Sequence, residues 1–267
     1  MAGVLCIQIK LKLGDKDENL KKIEKYLREY SDKQLDLVLF PEFFATNIDY
    51  SDSPEDENGG HTIERVCELA RKYNTNIVAG SVVRRVGDRF YNTSFAINRN
   101  GEILAKYDKI HLYNYMGGSE GSFISAGSEI VTVDFDFARV GLAICFDIRY
   151  PLHFNKLIKK DVDIITLPTA WLLPAQVFDN KAALDNAKEM WRALNRTRAY
   201  DNMVYFMICN QTGEVNESLK ALGNSMIISP VAEVLSLIDT EEGGVYSNID
   251  VEAVKLMRTI YPIAKID

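Results

Sequence analysis

The sequence predicts a four-layer α-β-β-α sandwich built on two mixed β-sheets. Three observations carry that prediction. Short apolar runs alternate with amphipathic stretches at helical spacing. Hairpin signals interrupt the alternation, so the sheets cannot be purely parallel. The strand segments come to about twelve, too many for one comfortable open sheet, so two sheets packed face to face are expected with helices on the outer faces.

The elements follow in order. Val4–Leu11 is an apolar, β-rich run. Residues 17–30 set Leu20, Ile23, Leu27 and Tyr30 on one face of a charged helix. Leu35–Phe40 is a continuous apolar run stopped by Pro41, which suits a strand buried on both faces. Residues 62–73 place Ile63, Val66, Ala70 and Tyr73 on one helical face, and Asn76–Val83 is the next strand. Phe90–Asn98 and Glu102–Tyr107 flank Arg99-Asn100-Gly101, a hairpin signal. Ile130–Phe135 and Arg139–Ile144 form a second hairpin. A helix near 152–160, strand Val162–Leu167, a helix near 185–201 and strand Val204–Cys209 come next. Leu222–Ile228, Ala232–Ile238 and Gly244–Ile249 make a strand-rich end. Residues 172–188 read as a long loop near the pocket. No linker, charge block or repeat divides the chain, so residues 1–267 are expected to form one domain.

Composition narrows the function. At 47% apolar and 26% charged, the chain is an ordinary globular one. Its net charge of −7 argues against a non-specific nucleic-acid partner, which needs a basic face. No run of 18 apolar residues is present, so no spanning helix or membrane partner is expected. The start MAGVLCIQIKL lacks a basic region followed by an apolar one, so no secretion signal is expected. Cys6, Cys67, Cys145 and Cys209 make no C-x-x-C pair and read as reduced cytoplasmic thiols. His61, His111 and His153 make no metal-ligand spacing, so no metal and no cofactor are expected.

Three residues sit where a strand hands over to a loop, the place where α/β folds build their sites. Cys145 ends RVGLAI and precedes Phe-Asp-Ile-Arg-Tyr-Pro. A tight turn there would raise the sulfur and aim backbone N–H groups at an oxyanion. Read alone, Cys145 fits a small buried core residue better than a nucleophile. Glu42 follows LVLFP among Phe40, Phe43 and Phe44. A carboxylate desolvated by aromatics has a raised pKa and could exchange a proton with a thiol; a solvated loop glutamate is the plainer alternative. Lys109, in Tyr-Asp-Lys-Ile-His-Leu-Tyr, is either a surface lysine or a buried ammonium that stabilises a thiolate and an oxyanion.

Taken together these segments resemble the nitrilase superfamily of carbon–nitrogen hydrolases. FPE at 40–42, DKIHLY at 108–113 and GLAICFDIRYP at 141–151 carry the likeness, in the family's order. Glu120 before Gly127, LPTAW at 167–171, Trp191 with RTRAYDN at 196–202, Asn210 with Gly213, and GNSMIISP at 223–230 extend it over nearly the whole chain. The resemblance implies Glu42 as general base, Lys109 as oxyanion stabiliser, Cys145 as nucleophile and Glu120 as a supporting acid, with the Phe146 N–H completing the oxyanion hole. It also implies a nitrilase-like α-β-β-α sandwich, a homodimer, and a small amide or nitrile as partner. CFDIRYP resembles the omega-amidase and Nit-like branch, which implies monoamides of dicarboxylic acids. Arg149 and Arg196 are then candidates to pair an acid tail, and Tyr113, Phe146 and Trp171 candidate pocket walls, although aromatic residues in strands are more often core. Nitrile and N-carbamoyl hydrolysis stay open. The chain departs from the family at Leu152, Lys160-Asp161, Thr169 and Ala232.

Three rival readings are weighed against this one. Gly117-Gly118-Ser119-Glu120-Gly121 satisfies G-x-S-x-G, but no strand leads into it, and the only later histidine, His153, follows too closely for a triad. A cysteine–histidine pair would use Cys145 with His111 or His153. A nitrilase-like binding or scaffold domain needs no turnover.

Overall fold

In a computed structural model, which describes residues 1–49, 54–115 and 117–262, the apolar runs form sixteen strands. The first sheet contains β1 (Ala2–Gln8), β2 (Leu37–Leu39), β3 (Asn76–Val78), β4 (Val82–Val86), β5 (Arg89–Ile97), β6 (Ile103–Asp108) and β16 (Gly243–Ile249). β1, β2 and β3 run parallel; β16 pairs antiparallel with β1, and β5 antiparallel with β3, β4 and β6. The second sheet contains β7 (Thr132–Asp134), β8 (Arg139–Leu142), β9 (Ile164–Thr169), β11 (Tyr205–Asn210), β14 (Met226–Ile228) and β15 (Val234–Leu237), with β8, β9 and β11 parallel. A small third sheet joins β10 (Leu172–Pro174), β12 (Thr212–Glu214) and β13 (Leu219–Leu222).

Strand alternation sorts the side chains into layers. Val4, Cys6, Leu37 and Leu39 of the first sheet meet Val140, Leu142, Met207 and Cys209 of the second in a core between the sheets. On the outer face of the first sheet, Leu5, Ile7 and Val38 pack on α1 (Lys16–Glu29) and α2 (Gly60–Tyr73) through Ile23, Leu27, Ile63 and Val66. On the outer face of the second, Ile165, Phe206 and Ile208 pack on α3 (Pro151–Ile158) and α5 (Lys181–Asn202) through Phe154, Leu157, Trp191 and Ala199. The predicted α-β-β-α order is therefore observed, with two mixed sheets.

The differences have local causes. The run Asn76–Val83 is broken into β3 and β4 at Gly80, whose φ is +43° and where a Cβ would lie 1.9 Å from the Pro41 carbonyl oxygen. Residues 172–188 are not a loop. They form β10, a single turn α4 (Ala175–Phe178) and the start of α5, which Asn180 caps by accepting from the Ala183 N–H. A last helix, α6 (Val251–Ile260), capped by Asp250, falls where no helix was predicted. At the family departure Lys160-Asp161, Asp161 takes φ +58°, a conformation that aspartate tolerates better than most residues. No helix among the described residues is long and apolar enough to cross a membrane.

Candidate active site

The ends of β2 and β6 in the first sheet and of β8 in the second converge on one buried pit. Glu42 lies three residues past β2, where its N–H donates to the Thr169 carbonyl at 3.3 Å and its carbonyl accepts from Gln211 Nε2 at 2.8 Å. Lys109 follows β6 directly, its N–H bonded to the Asn92 carbonyl at 2.9 Å. Cys145 comes three residues after β8 and opens the 3-10 turn Cys145–Arg149. Its φ is +44°, a left-handed conformation that a residue with a Cβ adopts only under constraint. The nucleophile reading of the sequence required a tight strand-to-helix turn at this place, and one is present.

Lys109 Nζ donates to Glu42 Oε1 and to Glu120 Oε2, each at 2.9 Å. Lys109 and Glu42 are 2% and 1% exposed, so this is a desolvated ion cluster. Glu120, at the start of the 3-10 turn Glu120–Ser122, also accepts from the Tyr113 N–H at 2.7 Å. The remaining Glu42 oxygen accepts from the Ala170 N–H at 2.8 Å. Glu42 is thus fully hydrogen-bonded, rather than simply surrounded by Phe40, Phe43 and Phe44. Burial pushes the Cys145 thiol well above its ordinary pKa; Glu42 adds to the rise, and Lys109 and the Ala170 N–H oppose it. Burial works against the Lys109 ammonium, but Glu42 and Glu120 outweigh it and hold its pKa well above the usual lysine range. The pit therefore brings a thiol held toward its neutral form and a lysine held toward its charged form together with the side chains of Glu42 and Glu120.

Asn92 was not among the predicted residues. Its Nδ2 bridges Glu42 Oε1 at 2.8 Å and Glu120 Oε1 at 2.9 Å, from the middle of β5. An asparagine within an otherwise well-patterned strand was the available signal.

A second buried carboxylate, Asp147, stands behind the Cys145 turn and is fully enclosed. Oδ2 accepts from Tyr107 Oη at 2.6 Å and from the Ile144 N–H at 2.9 Å; Oδ1 accepts from the His111 N–H at 3.1 Å and lies 2.7 Å from His111 Nδ1. The imidazole of His111 is thus turned to Asp147 and stacks on Tyr150 with 3.7 Å between ring centres. That placement removes the basis for pairing it with the Cys145 thiol, which is acted on by Glu42 and Lys109 instead. His153 is buried against Tyr107, His111 and Phe154. His111, Asp147 and His153 are close enough to share a metal ion, their ligand atoms within 4.8 Å of one another, but both oxygens of Asp147 already accept from N–H and O–H donors. An ion there would take the place of the Asp147–His111 Nδ1 contact.

The predicted pocket walls divide. Tyr113 is 38% exposed and sets its ring edge-on to Phe146 at 5.2 Å, and Tyr115 and Tyr150 complete an aromatic rim around Phe146. Trp171, half-buried, follows Ala170 and lies 4.6 Å from Trp191, which ties it to the core as much as to the pit. Arg149 is exposed at the end of its turn, with no hydrogen bond to the pit among the described residues. Arg196 is committed elsewhere: its Nε donates to the Ala232 carbonyl at 2.9 Å. Ser119 precedes the Glu120 turn and caps it from its carbonyl, with no strand leading in among the described residues, so it shows no nucleophile elbow.

The fold and the pit define a class: a hydrolase with a buried thiol, carboxylate and ammonium at the ends of two packed sheets. The family profile described as carbon–nitrogen hydrolase matches residues 4–259. A 2-oxoglutaramate amidase of Bacillus subtilis (strain 168) is 32% identical over 262 residues, covering 97% of this chain and 95% of that protein. A chloroplastic omega-amidase of Arabidopsis thaliana is 28% identical, covering 94% and 68%. The crystal structure of Nit3 from Saccharomyces cerevisiae, a member of branch 10 of the nitrilase superfamily, superposes with a TM-score of 0.81 at 25% identity, covering 99% and 95%. A carbon–nitrogen hydrolase from Helicobacter pylori G27 shares the fold with a TM-score of 0.88 at 18% identity. The chain belongs to the carbon–nitrogen hydrolase family, enzymes that hydrolyse non-peptide carbon–nitrogen bonds.

Proposed function

We propose that the protein is a thiol amidohydrolase that cleaves the monoamide of a small dicarboxylic acid to the diacid and ammonia, with Cys145, Glu42, Lys109 and Glu120 as its catalytic residues. The observation that carries this reading is the Lys109 ammonium held at 2.9 Å from both Glu42 and Glu120 beside a buried thiol. Glu42 takes the Cys145 proton as the sulfur attacks the amide carbon. The negative oxygen is held by Lys109, whose ammonium has a third N–H beyond the two given to the glutamates, and by the Phe146 N–H. Glu42 returns the proton to the departing nitrogen, and ammonia leaves behind a cysteinyl thioester. Water enters, gives its proton to Glu42 and attacks the thioester; collapse releases the acid and restores the thiol. Glu120 keeps Lys109 charged and fixed.

The substrate class rests on the amidase relatives named above and on the likeness of CFDIRYP to their branch. Tyr113, Phe146 and Trp171 are proposed as walls of the acyl pocket, and Arg149 as the exposed cation nearest the turn. Residues 1–267 are proposed to work as one domain in the cytoplasm, as a homodimer.

Incubation with 2-oxoglutaramate, glutaramate, succinamate, simple aliphatic amides, nitriles and N-carbamoyl compounds, with ammonia assayed, tests the reading. Release from the dicarboxylic monoamides in preference to the rest is expected, together with an acyl adduct on Cys145 by mass spectrometry. Preference for nitriles or N-carbamoyl compounds would reassign the substrate. Silence across the whole panel would favour a binding role.

A further inference from the structure

Lys109 and Cys145 belong to different sheets. Lys109 follows β6 of the first sheet, and Cys145 follows β8 of the second. The two sheets are joined by apolar packing between their inner faces and, around Glu42, by bonds to Thr169, Ala170 and Gln211. Such packing resists separation, but it is non-directional and sets relative position only through shape. An ammonium and a sulfur that must share one reacting carbon need tighter control, because an error near 1 Å costs about 10²-fold in rate.

The Asp147 carboxylate supplies directional bonds across that boundary. It takes Tyr107 Oη and both the N–H and the Nδ1 of His111, residues two positions before and two positions after Lys109. It also takes the N–H of Ile144, the residue immediately before Cys145, and lies two residues after Cys145 in the same turn. The Tyr107 hydroxyl, which donates to Asp147, accepts from the Ile110 N–H at 3.3 Å, so the backbone directly after Lys109 is held as well. All four bonds end on one fully enclosed carboxylate, which has no access to solvent as an alternative partner.

We propose that Asp147 is a positioning residue, one carboxylate that clamps the Lys109 segment to the Cys145 turn and so fixes the separation of Nζ and Sγ. The roles of Lys109 and Cys145 are those of the proposed function; the clamp itself rests on the bonds just given. Asp147 faces Tyr107, His111 and His153, and the thiol it positions faces Glu42, Lys109 and the Ala170 N–H. If the clamp loosens, Lys109 withdraws from the sulfur and its opposition to the raised thiol pKa weakens.

Asp147→Asn replaces one acceptor oxygen by an N–H₂ group that cannot accept from the Ile144 N–H. It is expected to lower kcat by about 10- to 100-fold while KM stays within about threefold of wild type. Tyr107→Phe removes a single hydroxyl at nearly unchanged volume and is expected to lower kcat by about 3- to 10-fold. The second readout is the rate of Cys145 alkylation by iodoacetamide against pH, with Cys145→Ala as the blank for the other thiols. Both variants should shift that profile to higher pH. A residue that merely supported the fold would lower the melting temperature and the fraction of active sites, leaving kcat per active site and the alkylation profile unmoved. Folded variants with wild-type kcat per site and a wild-type profile would overturn the clamp. Should Asp147→Asn fail to fold, Tyr107→Phe decides by itself. Should the wild-type protein turn over no amide, the proposed function fails, and the alkylation profile still decides the clamp.

Discussion

Two buried polar clusters meet at Lys109, and they differ in how their charge is balanced. In the first, one ammonium serves two carboxylates, with Asn92 bridging the carboxylates and a thiol alongside. Its thiol is pushed up by burial and by Glu42, with Lys109 opposing the rise. In the second, burial pushes the Asp147 carboxylate up, but His111, His153, Tyr107 and the Ile144 N–H outweigh it and hold its pKa below the usual aspartate value. In the first cluster the thiol and its carboxylate can exchange a proton; in the second the Asp147 carboxylate is fixed by four donors. Burial of charge is therefore no guide to chemistry by itself. What separates the two is that a thiol stands beside the first carboxylate pair, whereas the second carboxylate meets only donors that hold it in place.

The largest expected effect strikes the first cluster. Lys109→Arg puts a planar fork where a compact ammonium is 2% exposed and bonded to two carboxylates. Ammonia release should fall by at least about 10²- to 10³-fold. A near-normal rate would show that any cation at this place suffices and would blur the distinction between the clusters. Glu120→Gln is milder. It keeps the shape but takes one charged acceptor from Lys109, and a loss of about 10- to 100-fold in kcat is expected. Wild-type kcat in that variant would leave Glu42 as the only carboxylate that matters.

Three members of the first cluster stood out in the sequence; Asn92 and the second cluster did not, for a physical reason. Glu42, Lys109 and Cys145 each stand just past an apolar run, so topology alone gathers them at strand ends. Glu120 required the family resemblance, because loop residues carry no periodicity to place them. Asp147 and Tyr107 lay inside quoted motifs, but their partnership depends on how two sheets register in space, which no local pattern encodes. Arg196 misled for the same reason: a surface arginine on a helix has several possible partners, and this one is bonded to the Ala232 carbonyl. The layers of the sandwich could be read from alternation. The small third sheet could not, because its strands are only three or four residues long.

His153 allows the second cluster to be probed through stability rather than rate. Burial lowers its pKa below the ordinary 6.5; Asp147 opposes that, and His111 adds to it. As pH falls through 6.5, the unfolded chain takes up a proton that the folded chain refuses, so stability is full above 6.5 and is lost toward the depressed folded-state value. Asp147 acts in a separate window, below its unfolded value of 3.8. His153→Leu should therefore shrink the drop in melting temperature between pH 7.5 and pH 5.5. An unchanged drop would place the sensitivity elsewhere. Activity at pH 7.5 should change little, since Asp147 keeps its four bonds.

The smallest expected effect concerns backbone strain outside both clusters. Cys145 at φ +44° and Ala232 at φ +62° are both L-residues in left-handed conformations. At Cys145 a glycine would relieve the strain and remove the sulfur with it. At Ala232, in the turn between β14 and β15, the N–H donates to the Ser229 carbonyl and the carbonyl accepts from Arg196 Nε, so none of the turn's hydrogen bonds uses the Ala232 side chain. A left-handed L-residue costs about 1–2 kcal/mol, and glycine's greater unfolded freedom gives back about 0.5–1 kcal/mol of that gain. Ala232→Gly should therefore stabilise the fold by up to about 1 kcal/mol, raising the melting temperature by about 2–4 °C and leaving kcat and KM unchanged. A lowered melting temperature would mean that the Ala232 methyl contributes packing worth more than the strain it imposes. Strain would then be tolerated away from the thiol for a reason of its own.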